Sequence, residues 1–179
     1  MKLLLHICCG PCACYPLEVL RAEGVEIQGW FFNPNIHPYR EFQRRLEALE
    51  QLAERENLAV AYERRYGLRD YLRRVVFHEE QREQRCRICY ELRLNAAARR
   101  TRELGLDAFS STLLYSRYQL HETIREVGEA AARREGVGFH YRDFRVGWQE
   151  GIDLSRRLEL YRQPYCGCIY SEQERYDRS

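Results

Sequence analysis

The chain has 179 residues, 45% of them hydrophobic, with 29 Lys+Arg against 27 Asp+Glu and eight cysteines. That length buries a real core without staples, and apolar residues recurring throughout exclude disorder. No apolar run approaches the roughly 20 residues of a membrane span, and the start Met1–Ile7 is too short for the apolar stretch of a secretion signal. The expectation is one cytoplasmic domain over residues 1–179, with no membrane partner. Disulfides are disfavoured in that compartment, so eight cysteines point to metal binding or redox chemistry. Lys2 is the only lysine. Arginine favours bidentate phosphate contacts, although solvated helix faces beside glutamates account for most of it more simply.

In chain order, Lys2–Ile7 is a short apolar run that reads as a buried strand. Cys8-Cys9-Gly10-Pro11-Cys12 forces a loop, and Pro16 opens a helix that ends before Gly24. Val25–Phe32 is a second strand, followed by the turn-rich Asn33-Pro34-Asn35-Ile36-His37-Pro38. Phe42, Leu46, Leu49, Leu52 and Ala53 give Tyr39–Glu56 a helical period. Leu58–Tyr62 is a third strand and Gly67–Phe77 a helix. The charged stretch His78–Arg85 is either a loop or the exposed start of the next helix, which runs from Cys86 to Leu104. A fourth strand spans Ala108–Leu113, a helix Gln119–Glu135 and a fifth strand Gly138–Tyr141. One more helix is expected near Leu154–Tyr161. Strands alternating with helices predict an α/β fold with a parallel sheet of about five strands. Ligands of such sheets sit beyond the carboxyl ends of the strands, where the first cysteine loop falls.

Seven of the eight cysteines form three motifs: Cys8-Cys9-x-x-Cys12, Cys86-x-x-Cys89 and Cys166-x-Cys168. Two cysteines three apart in a first helical turn aim both sulfurs at one centre. The third pair needs a bent backbone, which Gly167 permits. Helix N-termini also lower thiol pKa and favour the thiolate ligand. Thiolate-rich sites select zinc or iron–sulfur clusters. A structural zinc closes with four ligands, and seven thiols exceed that, so one site plus a second metal site or a redox pair fits better. Cys9-Gly10-Pro11-Cys12 alone is compatible with disulfide exchange, but Cys8 and the two remote pairs are foreign to that pattern. Cys14 reads as a buried small hydrophobe.

Other polar residues fall at the same sheet edge. His6 reads as a core histidine. His37 is a candidate proton donor or substrate contact, or an exposed loop residue. Arg45 is a candidate phosphate contact or an exposed ion pair. Ser110 and Ser111 are set to bond a substrate or cap the next helix. Asp143 is a candidate general acid, or a salt-bridge partner of Arg142 or Arg145. Tyr161, Arg162, Tyr165 and Tyr170 flank the last motif, to stack on a base or to exclude water.

The segments Leu4–Cys12, Phe32–Pro38, Arg85–Leu94, Phe109–Ser116, Tyr141–Arg145 and Tyr161–Ser171 together resemble the cobalamin-independent epoxyqueuosine reductase family, formerly a domain of unknown function. The likeness covers almost the whole chain in one order. It implies reduction of epoxyqueuosine at the tRNA wobble position to queuosine, the epoxide oxygen leaving as water for two electrons and two protons. It also implies a [4Fe-4S] cluster beside an additional mononuclear iron, held by Cys8, Cys9, Cys12, Cys86, Cys89, Cys166 and Cys168. Of these Cys12 is the one whose position varies in the family. Cys8, Cys9, Cys86, Cys89, Cys166 and Cys168 are the candidates for the cluster, and the resemblance leaves the division of the seven between cluster and iron open. His37 or Asp143 is then the acid, and an external electron donor is required. A more distant likeness is to PP-loop, HUP-type Rossmann-like proteins, whose phosphate loop is here replaced by cysteines. The competing expectations are a zinc-stabilised RNA-binding module and a thiol-disulfide oxidoreductase.

Overall fold

A computed structural model describes residues 1–179. Five strands form one parallel sheet: β1 (Lys2–His6), β2 (Glu26–Phe31), β3 (Val60–Tyr62), β4 (Ala108–Ser111) and β5 (Gly138–Phe139). Their spatial order is β3-β2-β1-β4-β5. Leu3, Leu4 and Leu5 are fully buried, as expected of a central parallel strand covered on both faces, which reads as a continuous apolar run. The helices are α1 (Gly10–Ala22), α2 (Tyr39–Arg55), α3 (Leu68–Val75), α4 (Arg82–Glu103), α5 (His121–Glu135), α6 (Trp148–Arg157) and α7 (Ile169–Tyr176). This is the expected α/β architecture, with a Rossmann-like sheet.

The topology fixes where a ligand sits. The chain winds from β1 through β2 to β3, then returns to place β4 on the other side of β1. The order in which strands are added reverses between the parallel neighbours β1 and β4, and the crevice beyond their carboxyl ends is the binding position of such sheets. The Cys8 loop leaves β1 there, and a 3-10 turn, Thr112–Tyr115, leaves β4 beside it. The Cys8 backbone N–H donates to Thr112 Oγ1 at 3.1 Å and joins the two loops.

Several boundaries differ from the sequence expectation. Helix α1 starts at Gly10 rather than Pro16. Pro11 in the first turn forfeits no intrahelical bond, while Pro16 inside the helix withholds the N–H that would reach the Cys12 carbonyl. Gly10 also lies where α1 meets α2: an added Cβ would sit 2.5 Å from the Ala48 carbonyl oxygen. Helix α4 starts at Arg82, so Cys86 and Cys89 lie inside it rather than at its start. Strand β4 gives way to the 3-10 turn at Thr112. Helix α6 spans Trp148–Arg157, not 154–161. Its fully buried residues are the small Gly151 and Ser155, and Trp148 and Leu154 pack only partly on the core. Helix α7 buries no residue and was invisible as a pattern.

Candidate functional site

Three sulfurs, those of Cys8, Cys9 and Cys12, all lie within 4.8 Å of one another. Cys9 is the extended residue preceding α1 (φ −169°, ψ 163°), and Cys12 lies three residues on, in the first turn. Thr112 Oγ1 donates to Cys8 Sγ at 3.3 Å and the Gln163 amide to Cys12 Sγ at 3.1 Å. Hydrogen bonds from Cys12, Cys9 and Thr112 pull the Cys8 thiol well below its usual range. Burial pushes Cys9 up, and the hydrogen bonds to Cys8 and Cys9 push Cys12 up. The triad therefore holds one thiolate readily and three only beside a cation.

Cys86, Cys89, Cys166 and Cys168 form a second group. Cys89 feels the charges of Cys168, Cys166 and Cys86, and Cys86 those of Cys166 and Cys168. The expected lowering by a helix N-terminus does not occur here, because Cys86 and Cys89 lie beyond the first turn of α4. Burial instead pushes the Cys86 thiol up to about 11 and Cys89 up to about 12. Tyr71 and Val75 of α3 pack on Cys89, with Cys168, Leu72, Ile88 and Tyr170 around them, so this group has a dry wall. The bend expected at Gly167 is present, with φ +141°.

Donors to sulfur recur here too. Gln119 Nε2 donates to Cys166 Sγ at 3.1 Å, its own Oε1 fixed by the Tyr90 hydroxyl at 2.8 Å. Arg93 Nη2 donates to Cys89 Sγ at 3.1 Å and its Nε to the Cys89 carbonyl. Arg93 is buried, and its charge is felt by Cys89, Cys166 and Cys8. Its one hydrogen bond to a sulfur lies in the second group.

Arg45 is neither a phosphate contact nor an exposed ion pair. It is 1% exposed and bonds Glu41 at 2.7 Å within α2. Its two terminal nitrogens donate to the carbonyls of Cys166 (2.8 Å) and Tyr165 (2.9 Å). The Tyr161 hydroxyl completes the clamp on Glu41 at 2.5 Å. Sequence reading missed this role because it depends on a contact 121 residues away.

His37 is fully buried. Its Nε2–H donates to the Pro34 carbonyl (3.1 Å) and its Nδ1 accepts from the Ile169 N–H (3.3 Å). Its backbone N–H donates to the Gly167 carbonyl at 2.7 Å and its carbonyl accepts from Tyr165 at 2.5 Å. Burial lowers its pKa to about 4, so it is neutral with both ring nitrogens engaged and holds the Cys166–Cys168 loop. Asp143 accepts from Arg145 (2.7 and 2.8 Å) and caps the 3-10 turn Phe144–Gly147. Arg145 holds its carboxyl down at about 2, so it is ionised at neutral pH. Neither residue carries a proton aimed at the thiols in this conformation.

His6 is a core residue, as expected. Its Nε2–H donates to Phe32 O (3.0 Å), so Nδ1 accepts from the Ser111 hydroxyl (2.9 Å). Ser111 also accepts from Leu113 N–H and caps the turn. Cys14 stands apart, its thiol on the Gly10 carbonyl. A cavity of about 370 Å³ opens beyond β2, lined by Phe32, Asn33, Pro34, Arg65, Arg73 and Arg74 among others.

The fold and these seven thiols define a parallel α/β protein with a thiol-rich centre at its topological switch point. The family model described as "Epoxyqueuosine reductase QueH" matches residues 3–174. The chain is 37% identical over 177 residues to the epoxyqueuosine reductase QueH of Dehalococcoides mccartyi, covering 99% of this chain and 96% of that protein. The Thermotoga maritima protein of the same name is 34% identical over 185 residues, covering 98% and 92%. That of Streptococcus pyogenes serotype M1 is 34% identical over 179 residues, covering 95% and 70%. The chain belongs to the epoxyqueuosine reductase QueH family.

Proposed function

We propose that this chain, as one domain over residues 1–179, reduces epoxyqueuosine to queuosine in tRNA through a two-part iron centre. Family membership carries the reaction class, an oxidoreductase of queuosine biosynthesis. The observation that carries the cofactor reading is the division of the thiols into three and four. Cys8, Cys9 and Cys12 form the only set whose sulfurs all lie within 4.8 Å, a spacing suited to one ion with a position left open. Cys86, Cys89, Cys166 and Cys168 feel one another's charge but are more widely set than the triad. Sulfurs around a cubane stand further apart than those around a single ion, and four cysteines are the usual ligand set of a [4Fe-4S] cluster. Burial that disfavours the thiolates is offset by a bound cation, so the donor set fits both groups.

The chemistry supplied by such groups when bound is single-electron delivery and Lewis-acid polarisation of an epoxide oxygen. The protein's own residues do the rest. Arg93, Gln119, Gln163 and Thr112 direct N–H and O–H groups at the sulfurs and set the charge balance of the centre. Tyr71 and Val75 shield Cys89 from water, while Cys166 stays exposed. Arg45 and His37 hold the Cys166–Cys168 loop against α2. The reaction consumes two electrons from an external donor and two protons, and releases water as a carbon–carbon double bond forms. His37 acts by position in this reading. Either His37 or Asp143 becomes the acid only if substrate binding frees it from its present bonds.

Purified without oxygen, the protein is expected to be brown, to contain iron and acid-labile sulfide, and to reduce epoxyqueuosine in tRNA. Cys86→Ala or Cys168→Ala removes the sulfide; Cys12→Ala lowers iron with sulfide retained. A colourless protein with one zinc and no iron refutes the cofactor reading in favour of an RNA-binding module.

A further inference from the structure

A column of aromatic rings runs inward from the surface to Tyr15 of α1. Tyr118 is 74% exposed and meets the Trp148 ring edge-on at 5.6 Å. Trp148 stacks on Tyr115 at 5.1 Å and 27°, and Tyr115 leans on Tyr15 at 6.5 Å. The Tyr115 hydroxyl donates to the Trp148 carbonyl at 2.8 Å and locks the stack. The column is a built feature. Gly147 and Gly151 have no room for a side chain, because the Tyr15 and Tyr115 rings occupy the space a Cβ would take.

The outer end of the column stands at the mouth of the site. Gln119, the next residue after Tyr118, donates to Cys166 Sγ. A cation flanks the rings. Arg117 is exposed and lies over Trp148 at 5.8 Å. Its guanidinium joins no ion pair. An exposed aromatic face, rigidly backed and bordered by a free guanidinium, matches an unpaired nucleotide: the ring stacks on the base and the cation meets its phosphate.

We propose that Tyr118, propped on Trp148 and flanked by Arg117, is a stacking platform for an unpaired RNA base beside the nucleotide being reduced. The proposal rests on the tRNA substrate of the reading above and names the residues that engage its loop. The platform holds the neighbouring base still while the target nucleotide enters the thiol-lined crevice.

The test uses the anaerobically purified holoprotein and a fluorescently labelled anticodon stem–loop RNA with guanosine at the wobble position, so that binding is read without turnover. Tyr118→Ala is expected to weaken binding about tenfold, equal to about 1.4 kcal/mol, and Tyr118→Phe to retain wild-type affinity. Arg117→Gln is expected to reduce the slope of log affinity against log salt by about one. Equal affinities for wild type and Tyr118→Ala overturn the platform, as does a Tyr118→Phe variant as weak as Tyr118→Ala. A Tyr118→Ala variant with unchanged RNA affinity but a raised KM for a protein reductant reassigns the face to the electron donor. Turnover of RNA carrying epoxyqueuosine is measured separately. A wild type that binds RNA through Tyr118 yet does not reduce it refutes the functional reading and leaves the platform standing.

Discussion

Replacing Arg45 by methionine isolates the clamp that positions the third cysteine motif. The change keeps an unbranched apolar stem and deletes the charge together with the guanidinium fork. Glu41, 6% exposed, then loses its cation inside the protein, and the carbonyls of Tyr165 and Cys166 lose their donors. Breaking a buried pair from one side costs about 3–5 kcal/mol, because the remaining charge is left uncompensated. For a chain of this size each kcal/mol lowers the melting temperature by about 2–4 °C, so the expected drop is about 6–20 °C. Anaerobic thermal unfolding measures it. Timed alkylation followed by peptide mass analysis supplies the second readout: Cys166 and Cys168 should react faster in the variant, with Cys8, Cys9 and Cys12 unchanged. Adding Glu41→Gln should recover part of the loss, since no lone charge is then buried. Arg45→Lys restores the charge but not the fork that spans two carbonyls, and should leave the loop reactive. A loss under about 1 kcal/mol with normal cysteine reactivity would refute the clamp.

His37 should make the fold acid-sensitive. Its pKa is lowered to about 4 in the folded protein from an ordinary 6.5, so the unfolded chain binds the proton more tightly. The stabilisation is fully present above pH 6.5 and is lost as pH falls towards 4. Urea unfolding between these limits should show a slope that His37→Gln reduces by roughly half, because burial also lowers His6 to about 4 and leaves its share in place. Gly10→Ala should destabilise by about 1–3 kcal/mol through overpacking, since its methyl meets the Ala48 backbone at 2.5 Å; a chemical-denaturation midpoint equal to wild type would show that α1 and α2 separate freely. Cys14→Ala should retain the full iron and sulfide content by elemental analysis, because its sulfur faces the Gly10 carbonyl rather than the other thiols.

The sequence by itself determined the strand–helix alternation, the parallel sheet and the seven-cysteine grouping. Those are local properties: a fully buried strand reads as an apolar run, and a CxxC spacing is visible without a fold. Helix α6 fully buries only small residues and α7 buries none, so neither helix stands out along the chain. Of the two readings open for the charged stretch before Cys86, the exposed start of α4 holds from Arg82 on. Only the tertiary structure decided the rest. Separating three thiols from four required α4 to meet the loop after α6. His37 and Arg45 became loop-holding residues because their partners lie more than 100 residues along the chain. A buried imidazole or guanidinium must satisfy its donors and its charge from whatever the fold brings to it, and spacing along the chain does not say what that will be.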